Sequence, residues 1–79
     1  MHKEELQNLL DRFGYTVTLN KKIGGSCQTH MHHVAKEGKR LVDYTIDDVK
    51  NVVKAVWAYT ETNLSYFETT EELKTWLEL

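Results

Sequence analysis

The densest run of reactive side chains is Cys27-Gln28-Thr29-His30-Met31-His32-His33. Imidazole and thiolate are common protein ligands of zinc, copper and nickel. On an extended strand His30 and His32 point the same way, with α-carbons about 6.6–7 Å apart. Two imidazoles at that spacing can share one ion, while Cys27 and His33 point to the opposite face. Two ligands are too few for a structural site, and Asp43 is the candidate third. The plainer reading is two ordinary histidines on a solvated strand face, so the sequence assigns no metal and no cofactor. A small metal-binding protein using His30 and His32 stands as an alternative.

Other catalytic patterns are missing from the sequence. A nucleophilic cysteine needs a base beside it, and His30 lies across the strand from Cys27, which reads as a small buried hydrophobe. No paired carboxylates and no Ser-His-Asp set appear. Gly24-Gly25 lacks the lysine and following helix of a phosphate-cradling loop. The expectation is a protein that is not an enzyme and has no evident small-molecule substrate.

The elements that position these residues follow from periodicity. Leu6, Leu9, Leu10 and Phe13 recur at helical spacing, with Glu4 and Glu5 in the first turn and Gly14 after the last apolar residue, so His2–Phe13 is expected to be a helix. Tyr15–Leu19 alternates, placing Tyr15, Val17 and Leu19 on a buried strand face. Asn20–Ser26 reads as a flexible hairpin loop. Cys27–Lys36 and Lys39–Tyr44 are the next two strands, joined at Glu37-Gly38. That turn sets a register in which Val34 faces Leu41, His33 faces Val42, His32 faces Asp43 and Met31 faces Tyr44. One face then carries Cys27, Thr29, Met31, His33, Ala35, Val42 and Tyr44. The other carries Gln28, His30, His32, Val34, Leu41 and Asp43.

Thr45-Ile46-Asp47-Asp48 has the composition of a helix start. Ile46, Val49, Val52, Val53, Val56, Trp57 and Tyr59 cover an arc of roughly 160° on a helical projection, which predicts a second helix. Leu64–Phe67 is a possible added strand. Thr69 and Glu72 form a capping box for a last helix carrying Leu73, Trp76 and Leu77. The expected order is α-β-β-β-α-(β)-α. This is an α+β fold in one domain over residues 1–79, with a three- or four-stranded antiparallel sheet and its helices on one face.

Composition limits the partners. The chain has 79 residues, 41% hydrophobic and 28% charged, with a formal net charge of −2. No apolar run reaches the ~18 residues of a membrane span. The first ten residues place acids where a signal peptide would be basic and apolar, and the single cysteine suits a reducing cytoplasm. Charge is unevenly distributed: residues 15–44 are net +3 and residues 45–79 net −4. The basic part includes Lys36, Lys39 and Arg40 beside the His30 and His32 strand face. These five residues are the expected partner-binding surface, for an acidic protein or for self-association, in a small docking or accessory domain. Nucleic-acid binding by the basic hairpin is the runner-up, and Asp47-Asp48, at the start of the expected second helix, repels phosphate. Trp57, Tyr59, Tyr66, Phe67 and Trp76 crowd the second half, where they complete the core or serve an interface.

Overall fold

The structure is a computed structural model and describes residues 1–23, 25 and 27–79. Among these residues it contains α1 (Lys3–Arg12), β1 (Tyr15–Lys22), β2 (Gln28–Ala35), β3 (Leu41–Asp47), β4 (Val52–Tyr59), β5 (Leu64–Phe67) and α2 (Thr70–Leu77). The five strands form one antiparallel meander in the order β1-β2-β3-β4-β5. The class is α+β as expected, but the sheet has five strands rather than three or four. The order is α-β-β-β-β-β-α.

Both terminal helices are where their apolar spacing puts them. His2 caps α1 by accepting the Glu4 N–H at Nδ1, and Leu6, Leu9 and Leu10 are buried. Thr69 caps α2: its Oγ1 accepts the Glu72 N–H, and its hydroxyl, rather than its backbone N–H, donates to the Glu72 carboxylate. Leu73 and Leu77 of α2 are buried in the same cluster as α1 and the sheet residues Tyr15, Met31, Val42, Tyr44, Ile46, Val53, Val56 and Ala58. One sheet face therefore lies under both helices.

The helix expected from Thr45 to Tyr59 is not formed. That stretch supplies the end of β3, a turn and all of β4. Asp47 does use its carboxylate as an N-cap would, accepting the N–H groups of Val49 (3.0 Å) and Lys50 (3.1 Å). The acceptor closes a turn instead. The Asn51 N–H bonds back to the Asp47 carbonyl at 2.8 Å, and Asn51 takes a left-handed φ of 56° that reverses the chain. The valines and aromatics that follow favour a pleated strand over a helix. A bulge explains why they looked helical. Ile46 pairs with Val53 and Thr45 with Ala55, which leaves Lys54 as the extra residue. Val53 and Val56, three apart, thus reach the same buried face.

A second bulge, at Thr18, corrects the reading of β1. Val17 pairs with His33 and Leu19 with His32, so Leu19 crosses to the uncovered face. Only Tyr15 of this strand is buried, and Val17 and Leu19 are each about half exposed. The loop expected over residues 20–26 is partly strand, since β1 continues through Lys22. Gly24 and Ser26, also part of that expectation, lie outside the described residues. Cys27, expected to be buried, is exposed.

Asn51 tests the β3–β4 turn. A β-branched side chain in the left-handed region costs about 1–2 kcal/mol. Asn51→Val should lower unfolding stability by about that amount in urea titration, whereas Asn51→Gly should leave it unchanged or slightly raised. Equal stability of the two variants would contradict the turn.

Candidate functional site

The β2–β3 register is the one set by the Glu37-Gly38 turn: His32 lies opposite Asp43, His33 opposite Val42 and His30 opposite Thr45. The Ala35 N–H bonds the Arg40 carbonyl at 2.9 Å, and Gly38 takes a left-handed φ of 73° to close the hairpin. Alternation then sends His30 and His32 to the uncovered face and His33 into the core.

On the uncovered face, Asp43 is the centre of a polar cluster. One oxygen, Oδ1, bonds Nδ1 of His32 and lies 3.9 Å from Nε2 of His30. The other, Oδ2, accepts the hydroxyl of Tyr59 from β4. The side chains of His30, His32 and Asp43 are 31%, 26% and 14% exposed. One ligand atom from each lies within 4.8 Å of the others. Sequence spacing pointed to His30, His32 and Asp43. It did not point to Tyr59, because that residue was placed on a helix. Its neighbour Trp57 sits opposite Asp43 and meets Tyr66 of β5 edge-on, with ring centroids 6.2 Å apart.

The expected partner-binding residues do not all share this surface. Lys36 and Lys39 are exposed in the β2–β3 turn. Four strand positions of ~3.3 Å separate Lys36 from His32 along the chain, about 13 Å. Arg40 is engaged within the chain by Trp76 of α2. Its guanidinium carbon stacks 3.9 Å from the centre of the Trp76 ring, and Nη2 donates to the Trp76 carbonyl at 2.6 Å. A cation at the end of α2 also suits the helix dipole. Lys22 is likewise engaged, 2.6 Å from Asp48. The bond from Lys22, helped by the Thr29 hydroxyl, holds the Asp48 carboxyl below its ordinary range.

The other face contains a buried polar pair. Tyr44 Oη lies 2.8 Å from Nε2 of His33. Burial pushes the Tyr44 hydroxyl up to about 12, partly offset by a hydrogen bond with Gln7. Burial also lowers His33 below its ordinary 6.5; the neighbouring His32 adds to this and Asp43 opposes it. His33 is 6% exposed, and its Nδ1 and the Tyr15 hydroxyl are buried with no partner among the described residues. A cleft of about 450 Å³ between α1 and β1 lies beside them, lined also by Gln7, Asn8 and Asp11.

A histidine held neutral in the fold makes stability fall on acidification. The unfolded chain takes up a proton as pH drops through about 6.5, whereas the folded chain resists it until lower pH. Unfolding free energy should therefore decline from pH 6.5 down to the lowered folded value and level off below it. His33→Gln should flatten that limb in urea titrations run between pH 7 and pH 4. An unchanged slope would remove His33 as its source.

No family model, curated protein or solved structure matches the chain.

Proposed function

We infer that this is a non-catalytic protein-interaction domain, and that the surface it uses is the uncovered face of the sheet. The observation that supports this is one-sided coverage. Both helices pack on one face, and the other carries Leu19, Leu64 and Tyr66 at 48%, 69% and 52% exposure beside half-buried Trp57. Trp and Tyr are the residues most often found at energetic centres of interfaces.

The occupant we favour is a second copy of this chain. Its own charge pattern is self-complementary. Lys21 lies at the β1 edge of the open face and Lys36 and Lys39 in the β2–β3 turn, while Glu61 lies in the β4–β5 turn and Glu68 just past β5. A two-fold axis running along β3 turns one face over onto the other. Leu19 of one copy then meets Tyr66 of its partner, Lys21 approaches Glu68, and Lys36 and Lys39 approach Glu61. Such a closed, isologous contact is the commonest form of homo-oligomer. Five strands ~4.8 Å apart and about seven residues long give a face of roughly 550 Å². That is below the ~800 Å² per partner of a stable complex, so the pairing is weak and reversible.

Sedimentation equilibrium tests this reading. The expected result is a monomer–dimer equilibrium weakened by salt, because exposed charges are screened. Tyr66→Glu should abolish it without changing the melting temperature. Lys36→Glu with Lys39→Glu should weaken it, and adding Glu61→Lys should restore it. A chain that stays monomeric up to about 1 mM, where an association of ~4 kcal/mol is half complete, would overturn self-association. A dimer insensitive to Tyr66→Glu would place the contact elsewhere and overturn the use of this face.

A further inference from the structure

We propose that His30, His32 and Asp43 form a binding site for one divalent transition-metal ion of the zinc, copper and nickel class. The proposal does not depend on self-association. It rests on three features of the cluster: its donor set, its spacing and the way its carboxylate is held.

Two imidazoles and one carboxylate are a donor set that such ions take readily, and one that calcium and magnesium, which prefer all-oxygen cages, do not. The donors are brought together by the ladder itself. His30 and His32 are two apart on β2, and Asp43 sits directly opposite His32 on β3. Ligand atoms around a tetrahedral zinc with bonds near ~2.1 Å are about 3.4 Å apart. The cluster already lies within 4.8 Å, with His30 Nε2 at 3.9 Å from Asp43 Oδ1. Closing it takes side-chain movement of up to about 1.5 Å, and His30, whose nearest polar partner among the described residues is Asp43 at 3.9 Å, is the side chain placed to make that move.

Asp43 is the strongest part of the argument. Its two oxygens have different work. Oδ2 accepts the Tyr59 hydroxyl, which fixes the carboxylate and leaves Oδ1 turned toward both histidines. An outer hydrogen bond of this kind is what orients a ligating carboxylate. In the ion-free arrangement His32 Nδ1 and Asp43 Oδ1 are hydrogen-bonded to each other. An ion bound at Nδ1 replaces that hydrogen bond and requires the neutral ring to carry its proton on Nε2. Three protein donors leave one position for water or for a ligand brought by a partner. Tyr59 is a positioning residue, since it acts on the ion only through Asp43.

Isothermal titration of the intact chain with zinc chloride and with nickel chloride provides the test, with histidine ring resonances followed by NMR. The expected result is one ion per chain, with the His30 and His32 ring signals moving together. His30→Gln should weaken binding at least tenfold while leaving the melting temperature of the ion-free chain unchanged. Tyr59→Phe should weaken it about tenfold while keeping the same stoichiometry and the same shifted resonances. Cys27→Ser and His2→Gln, which remove the exposed thiol and the helix-capping imidazole, should bind as the wild type does. Tyr66→Glu, monomeric or not, should also bind the ion, which separates this result from the dimer experiment. No zinc uptake by the wild-type chain would overturn the site. So would uptake that survives His30→Gln, or uptake that is lost with Cys27→Ser.

Discussion

The two helices, ten and eight residues long, can cover one face of a five-stranded sheet and no more. Much of the rest of the architecture follows from that limit. Each strand has to divide its residues between a covered face and a bare one, and the apolar burial is concentrated on the covered face at Val42, Tyr44, Ile46, Val53, Val56 and Ala58. The cover fails first at the sheet's edge. β1 buries Tyr15 alone, and a cleft opens between it and α1. The bare face has no apolar lid, so its central carboxylate must be satisfied by its neighbours in the plane of the sheet. Asp43 meets that need by bonding to one strand on each side of it.

Alternation gives adjacent histidines opposite chemistry. His33 is turned into the core, where burial lowers its affinity for a proton and its ring nitrogen meets the Tyr44 hydroxyl. His32, one residue earlier, is on the bare face against a carboxylate. The same hairpin thus holds a neutral, structural imidazole on one side and an accessible, ligand-like one on the other. The two remain electrostatically linked, because charge on His32 further disfavours charge on His33.

The parts of the fold governed by short-range signals were legible in the sequence. α1 and α2 follow from their leucine spacing and caps, and the β2–β3 register follows from one glycine turn between alternating strands. Leu64–Phe67 is the strand that its composition suggested as possible. The misreadings share one physical origin. A bulge adds one residue to a period of two, so Val53 and Val56 mimic a helical step and Leu19 changes face. Nothing local to Lys54 or Thr18 announces the extra residue. Asp47 added to the confusion because an aspartate accepts the same two N–H groups in a turn as at a helix start. The site was legible in the same measure. His30, His32 and Asp43 lie on the correctly read hairpin, whereas Tyr59 depends on β4. The engagement of Arg40 by Trp76 depends on how α2 returns across the sheet, which no local pattern encodes.

The meander order also sets how the chain acquires its structure. Every strand pairs with its sequence neighbour, so each ladder forms by closing a short loop, at small entropic cost. Contact order is low for so β-rich a chain, a property associated with rapid folding. The links between residues farthest apart in sequence belong to the helices and the amino terminus. Lys3 N–H bonds the Asn51 carbonyl and Val53 N–H bonds the Met1 carbonyl, at 3.0 and 2.8 Å, while Arg40 reaches α2 through Trp76. These links join segments made far apart in sequence, tying the amino terminus to the β3–β4 turn and α2 to the β2–β3 hairpin. The sheet is thus a sequence of local hairpins, and the helices and the amino terminus are the clasps that join its distant parts.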